Sequence, residues 1–359
     1  MKFSKISLSL LTALCLTSGI AAAKEIATPA NFSADGKAEI IVMLPGTNND
    51  NGFMEAGFRG YKRIAEEITP NVKCVYKISA TSARDVLTQE LYNIAAEGPK
   101  MIIAHGGQCN APVAEVSKKY PEIKFAVIQG GVKSDNVSSY KVDQEKSAYL
   151  AGALAGLMTK TNKVGHISGA WPKPGQQARA AFYDGLMHVN PKATFYTHFT
   201  GNLDDNQINA KAAEGEIKAG VDVIYTMLNG GRFGVNETLE KTKGKVKEIG
   251  NVIDWTTISK IFIGSAVADS SVAIVNAAKD FKNGNLKTNT ISVIGLENPD
   301  VVRLALSKRV PKKVAKQIAA LQADVLAGKV KVNTTYTGME FDPATQEFVD
   351  QNAKNNRKK

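Results

Sequence analysis

The sequence predicts an α/β protein built as two doubly wound, parallel-sheet lobes joined by a hinge. Two observations predict it. Short apolar segments alternate with amphipathic helical segments from about residue 39 onward, and the alternation restarts near residue 148. Strands buried on both faces between crossover helices read as short apolar runs of this kind.

In the first unit, residues 39–44 form a strand, followed by the loop 45–51 and a helix over 52–68. Residues 72–78 are the next strand and 83–96 the next helix. The run 101–104 is short and wholly apolar, 111–119 is a helix stopped by Pro121, and 125–128 completes the set. The second unit opens with the small-residue-rich helix 148–158 and the strand 163–167. A helix over 176–189 ends at Asn190-Pro191, because proline cannot continue a helix. Strand 193–198, helix 206–219, strand 221–227, helix 233–242 and strand 245–249 follow. Later come a helix over 267–281, a strand at 291–296 and a helix over 311–326.

The first 23 residues read as an address. Lys2 and Lys5 precede an apolar run from Ile6 to Leu16, and Ala21-Ala22-Ala23 closes the segment before Lys24. A positive start, a short apolar middle and a small-residue exit describe a secretory signal peptide cleaved near Ala23, too short to span a bilayer. Leu14 is too bulky to make Cys15 a lipid-attachment site, so a freely soluble protein of the periplasm is expected. Roughly 335 residues then remain, enough for two domains.

Composition excludes several classes. The formal charge is +11, but the lysines are dispersed, and only 354–359 is a basic cluster, read as a frayed tail within 346–359. No basic stripe or helix-turn-helix signal supports nucleic-acid binding. Cys74 and Cys109, the two cysteines after the leader, exclude a disulfide scaffold and are expected as free thiols. No His, Cys and carboxylate cluster has metal-ligand spacing, so neither metal nor cofactor is expected. The four histidines are scattered, and no nucleophile elbow or P-loop is present.

In doubly wound sheets, ligands bind outside the carboxyl ends of the strands. The loops there carry Gly46-Thr47-Asn48-Asn49-Asp50, His105-Gly106-Gly107-Gln108, Gln129-Gly130-Gly131, Ser168-Gly169-Ala170-Trp171 and Asn229-Gly230-Gly231. Glycine lets backbone approach a ligand, amides donate and accept, and aromatics offer a flat apolar face. Ordinary turn chemistry would also place Gly, Asn and Asp there. Five such loops at one sheet edge favour a site.

Several ordered fragments resemble the basic membrane protein family of ABC-transporter solute receptors, which includes bacterial purine-nucleoside receptors. They are the Ala-His-Gly turn at Ala104, Tyr120-Pro121-Glu122-Ile123-Lys124-Phe125, Asn136-Val137, Tyr149-Leu150-Ala151-Gly152, Lys163-Val164-Gly165, Phe182-Tyr183-Asp184-Gly185, Val189-Asn190-Pro191 and Ala219-Gly220-Val221-Asp222-Val223-Ile224. The similarity runs over about 39–281. It implies a type I periplasmic-binding-protein fold that closes on a small ligand. It also implies that Asp50, beside Asn49, hydrogen-bonds the ligand and that Phe58 stacks on it; a core contact of its helix is the other reading of Phe58.

Departures from the family pattern bear on the ligand. The family's Ser-Phe-Asn reads Gly52-Phe53-Met54, its Gly-Val-Asp-x-Asp-Gln reads Gly250-Asn251-Val252-Ile253-Asp254-Trp255, and the basic residue expected after Ser265 gives way to Ala268. Positions that hold ribose in nucleoside-binding members are thereby lost. Trp171 and Trp255 sit instead at cleft-edge loops, Trp255 with hinge packing as its other reading. A flat heterocycle, a purine base above all, held by aromatics, Asp and amides fits these changes. The expected binding set is Asn49, Asp50, Phe58, Gln108, Gln129, Trp171, Asn229, Gly230, Asp254 and Trp255.

The expectation is therefore a monomeric periplasmic receptor that delivers ligand to an inner-membrane ABC permease, with no catalytic residue. A purine-nucleoside receptor, a sensory ligand domain and an exported nucleoside-processing enzyme are the alternatives. The first lobe is expected over 38–144 and 251–288, the second over 145–250 and 289–345, with crossings near Asp143, Asn251 and Leu286.

Overall fold

The computed structural model describes residues 24–78 and 83–350. The expected leader (residues 1–23) and the basic cluster at 354–359 lie outside the described residues. The first unit runs β1 (Glu25–Ala27), β2 (Ile40–Met43), α1 (Phe53–Glu67), β3 (Val72–Tyr76), α2 (Arg84–Ala96), β4 (Met101–His105), α3 (Asn110–Val116), β5 (Lys124–Ile128) and β6 (Val137–Val142). The second runs α4 (Gln144–Met158), β7 (Lys163–Ser168), α5 (Lys173–Val189), β8 (Thr194–Phe199), α6 (Asn206–Lys218), β9 (Val223–Met227), α7 (Arg232–Glu240), β10 (Lys247–Val252) and β11 (Phe262–Ala268). The chain ends with α8 (Ser270–Lys282), β12 (Ile291–Ile294), β13 (Val302–Leu306), α9 (Lys312–Leu326) and the hairpin β14 (Glu340–Asp342) with β15 (Glu347–Val349).

Two sheets organise these elements. The first has the order β1-β3-β2-β4-β5-β6-β12 and the second β13-β11-β10-β9-β7-β8. Within each sheet the inner strands pair in parallel and are buried, as crossover helices on both faces require. Each sheet reverses direction once: β2 is flanked by β3 and β4, and β7 by β8 and β9. These reversals leave a crevice at the strand ends, where adjacent crossovers depart to opposite sides.

The chain passes between the sheets at Asp143, which caps α4 by accepting the Lys146 N–H at 3.3 Å, at Ala268–Asp269 and in the segment 295–301. The three crossings lie side by side. The Asp143 N–H donates to the Ile294 carbonyl at 2.8 Å, and the Asp269 N–H to the Val301 carbonyl at 2.9 Å. The crossing expected at Asn251 moves to Asp269 because β11 pairs with β10 and β13 in the second sheet. The one expected at Leu286 moves past Ile294 because β12 pairs with β6 in the first. Residues 346–349, expected in the tail, belong to the terminal hairpin, where Phe348 packs 5.1 Å from Tyr196.

The small-residue character of α4 has a direct cause. A Cβ on Gly152 would lie 1.8 Å from the Phe182 carbonyl oxygen, and one on Gly185 would lie 1.9 Å from that of Tyr149. The two helices therefore touch backbone to backbone. Cys74 and Cys109 are buried and unpaired. Because both backbones are in contact, Gly152→Ala or Gly185→Ala should each cost at least about 2 kcal/mol of stability through overpacking, read as a lower urea midpoint with an unchanged slope.

Candidate functional site

The two reversals face one another. Between them lies a cleft with about 110 Å³ of enclosed space, placed between the lobes, where small-molecule sites commonly occur. The first lobe contributes Phe53 and Met54 from the start of α1, Gln108 after β4 and Gln129 after β5. The second contributes Ser168 and Ala170 after β7, Met227 and Asn229 at the end of β9, and Asn251 and Val252 at the end of β10. Gln144, Leu203, Pro172 and Pro174 close the sides.

The lobes touch across this space. The Phe53 N–H points at Asn229 Oδ1 at 3.4 Å, and a Cβ on Gly52 would lie 2.8 Å from that oxygen. The Phe53 ring is held in place by His105, whose ring stacks on it with centroids 4.0 Å apart and planes inclined by 18°. His105 Nε2 donates to the Phe53 carbonyl at 2.8 Å. Burial holds His105 down at a pKa of about 4, so it is neutral and serves as a brace.

Among the residues expected at the site, Gln108 and Asn229 line the cleft. Gln129 also borders it, but its amide is spent on the sheet: Nε2 donates to the Val142 carbonyl at 3.1 Å and Oε1 accepts the Val142 N–H at 2.7 Å. Asn49 is exposed beside the first loop. Trp171 is half exposed at the rim, stacked on Phe199 at 5.2 Å. Gly230 donates its N–H to Asp204 at 3.1 Å, a contact within its own lobe.

The remaining positions are placed elsewhere. Phe58 points along α1 to Tyr61 and Tyr76, with ring centroids 5.3 and 5.4 Å away, which is the core reading of that ring. Asp254 caps a short 3₁₀ turn by accepting the Thr256 N–H at 3.0 Å. Trp255 is buried, its ring 5.4 Å from Phe262 and its indole N–H donating to the Asn251 carbonyl at 3.1 Å.

Asp50 is buried behind the first wall and accepts the backbone N–H groups of Gly52 (2.9 Å), Met54 (3.1 Å) and Glu55 (2.9 Å). It satisfies orphan donors at the start of α1 and so sets where Phe53 stands. Phe53, Met54, Gln144 and Asn251 line the cleft without belonging to the set expected from sequence. For Phe53 a signal is present: it occupies the aromatic place of the Ser-Phe-Asn motif.

Two α/β lobes, three adjacent crossings and a cleft at opposed switch points are the architecture of a two-lobe solute-binding protein. The chain belongs to the Bmp family, whose model, described as "ABC transporter substrate-binding protein PnrA-like", matches residues 37–336. It is 25% identical over 324 residues to the ABC transporter nucleoside-binding protein BmpA of Lactococcus lactis, covering 85% of this chain and 91% of that protein. It is 26% identical over 254 residues to the transcriptional activator protein med of Bacillus subtilis, covering 70% and 78%. In fold it is similar to an ABC transporter solute-binding protein of Aeropyrum pernix, with a TM-score of 0.72, 20% identity and coverage of 83% and 94%. It is thus a solute-binding receptor of an ABC transporter, working with a small-molecule ligand and a transporter, and not an enzyme. Among the described residues no helix is long and apolar enough to cross a membrane.

The environment of Asp50 generates a pH prediction. Burial raises its carboxyl from 3.8 to about 6, helped by the charge of Asp204 and opposed by the three amides. A carboxyl with a raised folded pKa contributes stability that is present below about pH 4 and lost as pH rises through about 6. The stability difference between the parent and Asp50→Asn should therefore shift against the parent by on the order of 3 kcal/mol between pH 4 and pH 7, measured by urea unfolding at several pH values.

Proposed function

We propose that this receptor binds an uncharged, flat heterocycle, a purine base in preference to a nucleoside, and delivers it to an ABC permease in the inner membrane. In this reading the protein is an exported, monomeric, freely soluble receptor of the periplasm. The observation that carries the ligand class is the lining itself. No charged side chain is among the described residues that line the cleft; Phe53 offers a ring, Met54, Met227 and Val252 an apolar surround, and Gln108, Gln144 and Asn229 side-chain amides. A heterocycle edge presents alternating donors and acceptors that such amides match, and its face gains from contact with a ring. A ribose would require hydroxyl partners, for which charged groups are the strong choice. The contact set proposed here is Phe53, Gln108, Gln144, Asn229 and Asn251, with Trp171 at the rim.

One observation favours a whole nucleoside: the Lactococcus relative is named a nucleoside-binding protein. Thermal shift with adenine, guanine, hypoxanthine and their nucleosides separates the two, since a ligand of the folded state raises the midpoint by mass action. Stabilisation by free bases at lower concentrations than nucleosides is expected; stabilisation by nucleosides alone overturns the base preference. Mass spectrometry of material retained on purification provides an independent check.

Closure provides a second prediction. Gly52→Ala would push a methyl against Asn229, whose Cα would lie 3.3 Å from it. It should leave the thermal midpoint of the ligand-free protein nearly unchanged and weaken binding by about 1 kcal/mol or more, as a hindered closed state requires. Small-angle scattering with saturating ligand should show a larger radius than the parent.

A further inference from the structure

Behind the cleft wall of the second lobe lies a charged group that the binding reading does not use. Arg232, the first residue of α7, is 1% exposed. Its guanidinium ties two strand ends together. Nη2 donates to the Leu228 carbonyl at 3.0 Å and the Thr226 carbonyl at 3.3 Å, both at the end of β9. The same nitrogen donates to Asn251 Oδ1 on β10, while Nη1 donates to Thr226 Oγ1 and pairs with Glu248 at 3.3 Å. Its carbon stands 4.7 Å from the centre of the Trp255 ring.

Asn251 is therefore gripped at both ends, through its side chain by Arg232 and through its carbonyl by the Trp255 indole. That carbonyl also accepts the Ile253 N–H at 2.9 Å, closing a three-residue turn around Val252. Val252 has φ +69°, a value that a β-branched residue adopts only when its surroundings over-determine it. It faces the cleft. Strained backbone that borders a site and is clamped from behind is a mark of pre-organisation.

We infer that Arg232 is a positioning residue of the cleft, acting with Trp255 through Asn251 to hold the Val252 turn against the ligand. The inference rests on the cleft being the ligand site. Lysine at this position keeps a cation beside Glu248 but has no planar fork to reach Leu228, Thr226 and Asn251 together. Asn251→Ala removes the clamped group and leaves the Arg232–Glu248 pair intact.

The test combines Arg232→Lys, Asn251→Ala and the double variant. Isothermal titration uses adenine, guanine, adenosine and guanosine as probes, and hydrogen exchange of the Ile253 amide is followed in the ligand-free proteins. Each single variant is expected to bind at least tenfold more weakly, and the double variant no more weakly than the worse single one, because both break one clamp. The Ile253 amide should exchange at least tenfold faster in Arg232→Lys, with α7 unchanged. Additive losses of affinity, or an Ile253 amide as protected as in the parent, overturn the inference. If the parent binds none of the four probes, the ligand reading fails, and hydrogen exchange still decides on the clamp. Should Arg232→Lys not fold, Arg232→Met with Glu248→Leu removes both charges together, an exchange buried ion pairs often tolerate, and carries the same readouts.

Discussion

Everything at the cleft depends on one topological constraint: each sheet reverses its winding beside its first inner strand. At β2 and at β7 the crossovers leave in opposite directions, so no helix covers the strand ends there. Two such openings would be of little use apart. Three crossings, bound to each other at Asp143–Ile294 and Asp269–Val301, hold the lobes so that the openings face. Hinge rotation then changes the gap without changing which residues look across it.

A second layer of organisation is electrostatic. The cleft surface is neutral, yet buried charges stand directly behind it. Asp50 gathers the first amides of α1, and Arg232 with Glu248 ties β9 to β10. Burial pushes the Glu248 carboxyl up, against the pull of the Arg232 guanidinium. These groups act on backbone and on Asn251 rather than reaching the cleft. Such an arrangement suits an uncharged solute, because a charge exposed in the cleft would have to be desolvated on closure without an opposite charge to meet it.

The layout of the fold is legible wherever one local signal dominates. Wholly apolar runs such as 101–104 and 125–128 match β4 and β5, and Asn190-Pro191 marks the end of α5 to the residue. β6, with the sequence VSSYKV, gives no clear strand signal because its serines serve tertiary contacts: Ser138 donates to the Lys287 carbonyl and Ser139 to that of Val132. The end of β11 resembles the start of a helix because Gly264-Ser265-Ala266-Val267 is small, as its place under Leu154 of α4 demands. The true start signal is Asp269, whose carboxylate accepts the Ser271 N–H at 3.0 Å. At the site, loops are easier to read than side chains. The glycine- and amide-rich turns do converge, but sequence cannot say that Gln129 spends its amide on β6 or that Trp255 faces inward. Nor does any local pattern mark Arg232, whose partners come from two strands.

The contacts the lobes make with each other set what a solute must supply. Across the cleft the described residues offer one long hydrogen bond, Phe53 to Asn229 at 3.4 Å, and close packing of Gly52 on Asn229. A net hydrogen bond contributes about 0.5–1.5 kcal/mol, and one of this length falls at the lower end. Converting a largely open population into a largely closed one takes about 5.5 kcal/mol of differential binding. The heterocycle proposed above, stacking on Phe53 and meeting Gln108 on one side while bonding Asn229 and Asn251 on the other, would reach that figure with about four or five ordinary contacts. Each of those contacts needs both walls in register, so misplacing one amide removes more than its own bond. On the proposed reading, the rigidity of Asn251 and of the Phe53 ring, held by Arg232 and His105 from behind, bears on affinity as directly as the groups that touch the solute.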